Sequence, residues 1–449
     1  MRSKVVWRNL ILGVVLVLMV QAGVFAQETI SISFNNGPRE GDVVAETLIG
    51  NRIKRFNEVY PHIKVNPDPW QYDPQSFVVK MAGGTATDII GVFATEVAGI
   101  IDNGFAADIT EYVKQWEYFD SLSAAALEPA MRDGRIYAIP VGAYVMGLYY
   151  NKKLFREAGI VDEFGEAKPP ETWEEFVEAA LKLTDRSKNR AGFGIMGRGA
   201  QAGWQFLNWA WQAGGDFEVY EDGKWKAVFD REPVVEALRF LQELRWTYDV
   251  LQPNTMVEAE GVFPLIASEQ VAMAFLTPEW IPIVVRKYGG NLEDVGLAPL
   301  PAGPAGRANQ MGGGYAIVNP SIPPEKQAAA VKWILWEFDP LEYEHALQDR
   351  LALDELVGLP DSPIFVGELQ EIRAALVEKY RNVPDFPKYV QAAPLYVRPE
   401  PPFFAQQLYN EALAPVVEAV LTNPFADPEA LLRDAAVQFQ RRFLDQLNN

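Results

Sequence analysis

Cysteine is absent from all 449 residues. Without a thiol there is no disulfide, no thiolate metal site, no cysteine nucleophile and no lipid-modified cysteine anchor. Histidine occurs only twice, as His62 in a helix-to-strand turn and His345 beside Glu342 and Glu344. Neither has a metal-spaced partner, and no HExxH motif is present, so zinc hydrolysis and Ser–His–Asp catalysis lack necessary parts. No glycine-rich loop ends in Lys-Ser or Lys-Thr, which removes the usual phosphate cradle. Positive charge is also scarce, with 40 bases against 60 acids and a net charge of −20. Such a surface, uninterrupted by any basic run, repels phosphate backbones, so no nucleic-acid partner is expected. No cofactor or metal is expected, and there is no internal repeat or low-complexity segment.

Apolar residues make up 49% of the chain and aromatics 12%. That content buries large cores, and the length suits two domains of ordinary size. The first 26 residues carry Arg2, Lys4 and Arg8 but no acid; removing those three bases leaves 37 against 60 acids. A basic start, an apolar run from Leu10 to Val20 and small residues up to Ala26 have the anatomy of a secretory signal, with cleavage expected after Ala26. An uncleaved anchor needs about 20 apolar residues, more than this run supplies. The mature chain is therefore expected in a periplasm, and not as a lipoprotein.

Along the mature chain, alternating residues 29–34 read as a strand ending in Asn35-Asn36-Gly37-Pro38. A helical pattern over 45–60 stops at Pro61, and strands follow at 63–65 and 88–92, with helices at 75–82 and 96–103. Strands alternating with helices predict an α/β domain with a mostly parallel sheet. Ligands then bind beyond the carboxyl ends of the strands, where loops 35–41, 67–73 and 93–96 fall. Beyond residue 143 the chain turns helix-rich, with helices expected at 172–183, 203–213, 232–247, 326–337, 368–380, 406–421 and 428–447. Strands recur at 271–276, 295–300 and 315–318, and Asp222-Gly223 marks a hairpin turn. Thr172 and Glu175 have the spacing of a reciprocal helix cap.

The segment Gly134-Arg-Ile-Tyr-Ala-Ile-Pro140, then Leu148-Tyr-Tyr-Asn-Lys152, Leu154 to Ile160, and Pro169-Pro-Glu-Thr-Trp-Glu-Glu-Phe176 is a strand, a glycine-ended helix, a stiff turn and a capped helix in fixed order. With Met81 to Ile90, Asp102 to Thr110, Trp209 to Gly215, Val271 to Trp280, Leu300 to Gly306, Gly312 to Ile317 and Arg398-Pro399, it resembles the family 1 extracellular solute-binding proteins. These are the sugar receptors of ABC importers that include maltose-binding protein. The resemblance covers nearly the whole mature chain. It implies an α/β two-lobe periplasmic binding protein fold, a clamshell with crossing hinge strands and a helix-rich second lobe. The lobes would be 27–141 with 300–339, and 142–299 with 340–449, crossing near 141–143, 298–302 and 337–341. It implies a sugar as ligand, membrane permease subunits as partners, a monomer and no catalysis.

Aromatics carry the recognition argument. Trp280 follows Thr277-Pro278-Glu279 directly after a strand, where a flat ring can project into the crevice. In the family the tryptophan after this strand stacks on a sugar, and Trp280 matches it. Trp204 falls where relatives carry a cleft aromatic, against core packing as the alternative. Trp209 and Trp211 are two apart on one helix and cannot share a face, so at least one belongs to a core; Trp211 is the ligand-binding candidate of the two. Polar partners come from the first-lobe loops: Asn35, Asn36 and Glu40 after the first strand, Thr95 and Glu96 after the strand at 88–92. Turn chemistry alone would also account for Asn35-Asn36, and a helix N-terminus for Glu96. Tyr72 and Tyr144 are rim candidates, as are Glu279 and Gly313; Gly312-Gly-Gly314 reads as backbone needing close approach. Arg398 stands near the cleft in relatives, or forms a lobe-stabilising ion pair. At Gly142 maltose-binding relatives carry a sugar-contacting glutamate, so their pose does not transfer whole. The same architecture with a polyamine, glycerophosphodiester or peptide cargo remains open, as do a glycosidase and an adhesin. A polyamine would require acids clustered at the cleft, and a phosphodiester would require bases.

Overall fold

The computed structural model describes residues 29–448; the expected signal at 1–26 lies outside them. The strands in order are β1 (Ile30–Phe34), β2 (Ile63–Pro67), β3 (Ile89–Phe93), a small hairpin of β4 (Met131–Arg132) and β5 (Arg135–Ile136), β6 (Ala138–Val145), β7 (Gly147–Asn151), β8 (Ala191–Gly194), a second hairpin of β9 (Glu218–Glu221) and β10 (Lys224–Ala227), β11 (Val271–Leu276), β12 (Val295–Ala298), β13 (Asn309–Val318) and β14 (Val397–Pro399).

The first sheet runs β14-β13-β3-β1-β2, with β6 also paired to β13. β1 lies parallel to β2 and β3, while β13 runs antiparallel to β3 and β6. Helices Val43–Val59 and Pro74–Ala82 connect the parallel strands, started by Asp42 and Asp73, whose side chains accept from the Ala45 and Ser76 N–H groups. Phe56 packs edge-on against Trp333, 5.1 Å between ring centres, in the core beneath this sheet.

The second sheet runs β12-β7-β11-β8. Helix Gly199–Gln212 is buried over most of its length, because Phe206, Leu207, Trp209 and Trp211 leave it no polar stripe. Trp209 stacks on Phe275 at 4.5 Å, inside a core that also takes the helices after residue 405. The Thr172 hydroxyl accepts from the Glu175 N–H as expected, but the Glu175 carboxylate reaches back to the Glu171 N–H rather than to Thr172. The Asp222-Gly223 turn has φ values of 55° and 78°, which suit a tight hairpin.

β6 leaves the first sheet and the chain re-enters as β7 in the second; β12 of the second sheet leads back to β13 of the first. The return expected at 337–341 is not found there. Asp339 instead caps helix Pro340–Ala352, accepting from the Leu341 and Glu342 N–H groups. That helix packs on Val43–Val59 in the first lobe, with the Arg55 guanidinium 2.7 Å from Glu342 and 2.8 Å from Asp349. Glu342 is only 1% exposed, and an acid that buried stays where its cation is. Leu356 touches a second-lobe core, Ile364, Phe365 and Leu369 join the first core, and the chain returns to the second-lobe core with Val383, Phe386 and Tyr389. The crossing at 337–341 is implied by the family resemblance; the Arg55 pairing and the first-core residues Ile364, Phe365 and Leu369 keep this segment with the first lobe.

Candidate functional site

β6, β13 and β14 lie side by side where the lobes meet, with Gly312 opposite Tyr144 and Met311 opposite Pro399. Glu400 follows β14 and its Oε1 accepts three hydrogen bonds: from the Tyr144 hydroxyl at 2.8 Å, the Trp204 indole N–H at 2.7 Å and the Gln310 amide at 2.8 Å. Gln310 is held in turn by Asn208, whose amide donates to it at 2.9 Å. The bonds cross above Gly312, where a Cβ would come within 2.3 Å of the Tyr144 hydroxyl and 2.8 Å of Glu400. Burial raises the Glu400 carboxyl above its ordinary range, and its hydrogen bonds, led by that from Tyr144, pull the other way. Beyond Gly142 on the same ribbon there is open space.

Trp204 and Trp280 form an aromatic wall beside this floor. Their ring centres are 5.6 Å apart at 51°, Trp204 stands 6.1 Å from Tyr144, and Trp280 is 5.4 Å from Phe263. Both indoles are only half-buried. The Thr277-Pro278 turn fixes Trp280, whose N–H donates to the Thr277 carbonyl at 3.1 Å. Glu279 beside it is exposed at its edge, and partial desolvation pushes its carboxyl up to about 7.

Tyr72, Thr95 and Glu96 meet in a cavity of about 410 Å³ that both lobes line. Phe77 and Phe105 join them from the first lobe; Phe403, Phe404 and Gln407 face them from the second. The Thr95 hydroxyl and Glu96 Oε1 are buried without a hydrogen-bond partner among the described residues. Burial lifts the Glu96 carboxyl to about 7, tempered by the backbone N–H of Gln406. A larger cavity of about 530 Å³ lies between Arg373 and Tyr389 and holds none of the expected residues.

The remaining candidates sit elsewhere. Asn35 accepts from the Gly91 N–H at 2.7 Å and Asn36 from the Tyr72 N–H at 2.8 Å, so both side chains tie first-lobe loops together. Asn36 has φ 56°, a turn residue. Glu40 is exposed and joins neither cluster. Trp211 is buried against Phe217 with the Arg398 guanidinium 5.1 Å from its ring, and Arg398 pairs with Asp216 at 2.6 Å. Those two belong to second-lobe packing and a local ion pair. At Gly313 a Cβ would come 2.5 Å from the Gly142 carbonyl, so its role is the close approach of β6 and β13. Glu400, Gln310 and Gly312 escaped sequence reasoning as a group; only the Arg398-Pro399 motif and the triple glycine pointed near them.

The model of the family described as bacterial extracellular solute-binding proteins matches residues 43–336. An arabinooligosaccharide-binding protein of Halalkalibacterium halodurans is 28% identical over 60% of each chain. The chain spans about three fifths of the length of the curated relatives it matches. Among solved structures, maltose-bound MalE3 of T. maritima is 22% identical with a TM-score of 0.71, covering 92% of this chain and 100% of its own. UgpB of Mycobacterium tuberculosis with glycerophosphocholine is 18% identical with a TM-score of 0.73, covering 93% and 99%. These structures share the two-lobe fold, and with the family match over most of its length the chain belongs to the bacterial extracellular solute-binding proteins.

Proposed function

We propose that this chain is the sugar receptor of an ABC importer: a monomer of the periplasm, exported by a cleaved signal, that closes on its ligand and presents it to membrane permease subunits without chemistry. The observation carrying this reading is the half-open indole pair, Trp204 and Trp280, beside the Glu400 network. A pyranose has an apolar C–H face that an indole desolvates while the hydroxyl rim stays free for polar groups. Trp204 serves this especially well, because its N–H is already satisfied by Glu400 and its ring orientation is therefore fixed. Relatives named for arabinooligosaccharide and multiple sugars support the cargo class. A phosphodiester cargo fits less well, since no lysine, arginine or histidine lines the 410 Å³ cavity.

Ligand shifts the lobes only by its preference for the closed form. A thermal-shift screen of mono- and oligosaccharides tests the reading, because a ligand of the folded state raises the melting temperature by mass action. In that screen the cognate sugar stabilises the protein, and Trp280→Ala weakens it at least about tenfold, roughly 1.4 kcal/mol. An unchanged affinity in the folded variant removes Trp280 from the site.

A further inference from the structure

The cavity around Glu96 is aromatic and acidic, and it has no base. Of its lining residues, Tyr72, Phe77, Phe105, Phe403 and Phe404 carry rings; of its two carboxylates, Asp102 is paired with Arg132 at 2.8 Å, which leaves Glu96. Among the described residues no Lys, Arg or His nitrogen lies within 4.0 Å of either Glu96 or, nearer the hinge, Glu279 and Glu400. This is not the general habit of the molecule, because the buried Glu342 is held directly by Arg55.

Two atoms here are also unfinished. Thr95 is only 8% exposed and lines the cavity, yet its hydroxyl has no partner, and neither has Glu96 Oε1 beside it. Buried polar atoms are nearly always hydrogen-bonded, so an orphan pair on a cavity wall between two lobes awaits something that enters. A sugar hydroxyl would satisfy one acceptor but do nothing to offset the cost of ionising a desolvated carboxyl. An ammonium supplies up to three donors and a charge that favours the ionised carboxylate, and aromatic faces around it favour a cation.

We infer, on the basis of the sugar-receptor reading, that the solute is an amino sugar whose protonated amine seats between Glu96 and the Thr95 hydroxyl in this two-lobe cavity. The amine then bridges the lobes, since Phe403, Phe404 and Gln407 close the cavity from the second lobe. The cavity's own rings, among them Tyr72 and Phe403, take the sugar's apolar face, so stacking and charge act on different parts of one ligand.

Isothermal titration of the full chain at pH 7.0 with glucosamine and its β-1,4 dimer and trimer, against the N-acetylated forms and neutral glucose oligomers of equal length, tests this. The amino forms are expected to bind at least tenfold tighter. Glu96→Gln should abolish that preference with little change for neutral sugars, and Glu96→Asp, which keeps the charge, should retain part of it; thermal unfolding of each variant checks that it folds. Equal or tighter binding of neutral or acetylated forms, or an unaltered preference in Glu96→Gln, overturns the inference and leaves the sugar-receptor reading standing. Binding of 1,4-diaminobutane with no sugar of either kind overturns both.

Discussion

Glu400 and Glu96 are both cleft acids without a cation, and the protein treats them in opposite ways. Glu400 gathers three donors from three separate elements onto one oxygen. Glu96 has an oxygen that gathers none. A fully satisfied buried network rigidifies and orients its members, whereas a half-satisfied one is destabilising until something completes it. The first acid is therefore architecture that holds Trp204 and Tyr144 in place, and the second keeps an oxygen unbonded on a cavity wall, where the ligand's amine is proposed to sit.

The most severe way to break this contrast is Glu400→Leu. It strands the Tyr144 hydroxyl, the Trp204 N–H and the Gln310 amide, each costing about 1–3 kcal/mol when left unmade. A loss of about 3 kcal/mol or more in urea unfolding is expected, with ligand binding lost through misplacement of Trp204. A near-neutral result would mean that the network holds nothing. Next in size is Gly313→Ala, whose methyl would press on the Gly142 carbonyl at 2.5 Å. Overpacking of that kind costs about 1–3 kcal/mol. Separating the hinge strands should also change the open-to-closed difference seen by small-angle scattering with and without ligand.

The smallest effect sharpens the comparison with a third acid. Glu218 is 7% exposed, neither of its oxygens has a side-chain partner among the described residues, and burial lifts its carboxyl to about 8, tempered by the Phe403 backbone. Its folded form holds a proton more tightly than the unfolded chain, so its contribution to stability is complete below pH 4.5 and is lost as pH rises through about 8. Glu218→Gln should match the wild type near pH 4 and exceed it by about 1–2 kcal/mol at pH 8.5 in urea unfolding. An equal pH slope in the two proteins would show that Glu218 does not titrate in that window.

Much of the architecture was legible because it rests on local chemistry. The β1–β3 alternation, the Asp222-Gly223 hairpin and the helix at 172–183 follow from periodicity, turn residues and caps that act within a few positions. The aromatic wall was half legible: Trp280 and Trp204 stood out by their place after a strand and at a helix start. Trp211 and Arg398 were open in sequence, and the structure gives Arg398 the ion-pair alternative, since the flanking motifs say nothing about which side of a helix meets Phe217 or which acid stands at Asp216. Asn35 and Asn36 were ambiguous for the same reason, and their partners Gly91 and Tyr72 lie far along the chain.

Charge excess, the lack of thiols, the alternation of strands and helices and the order of the motifs follow from residues read in line, because each depends on composition or near neighbours. Which acids face a cation and which face a cavity does not. Glu342 meets Arg55 287 residues away, Glu400 meets Trp204 across 196, and Glu96 meets no base among the described residues. Those outcomes belong to the folded chain alone, since desolvation and hydrogen bonding act through space and a carboxylate's neighbours are chosen only when the lobes pack.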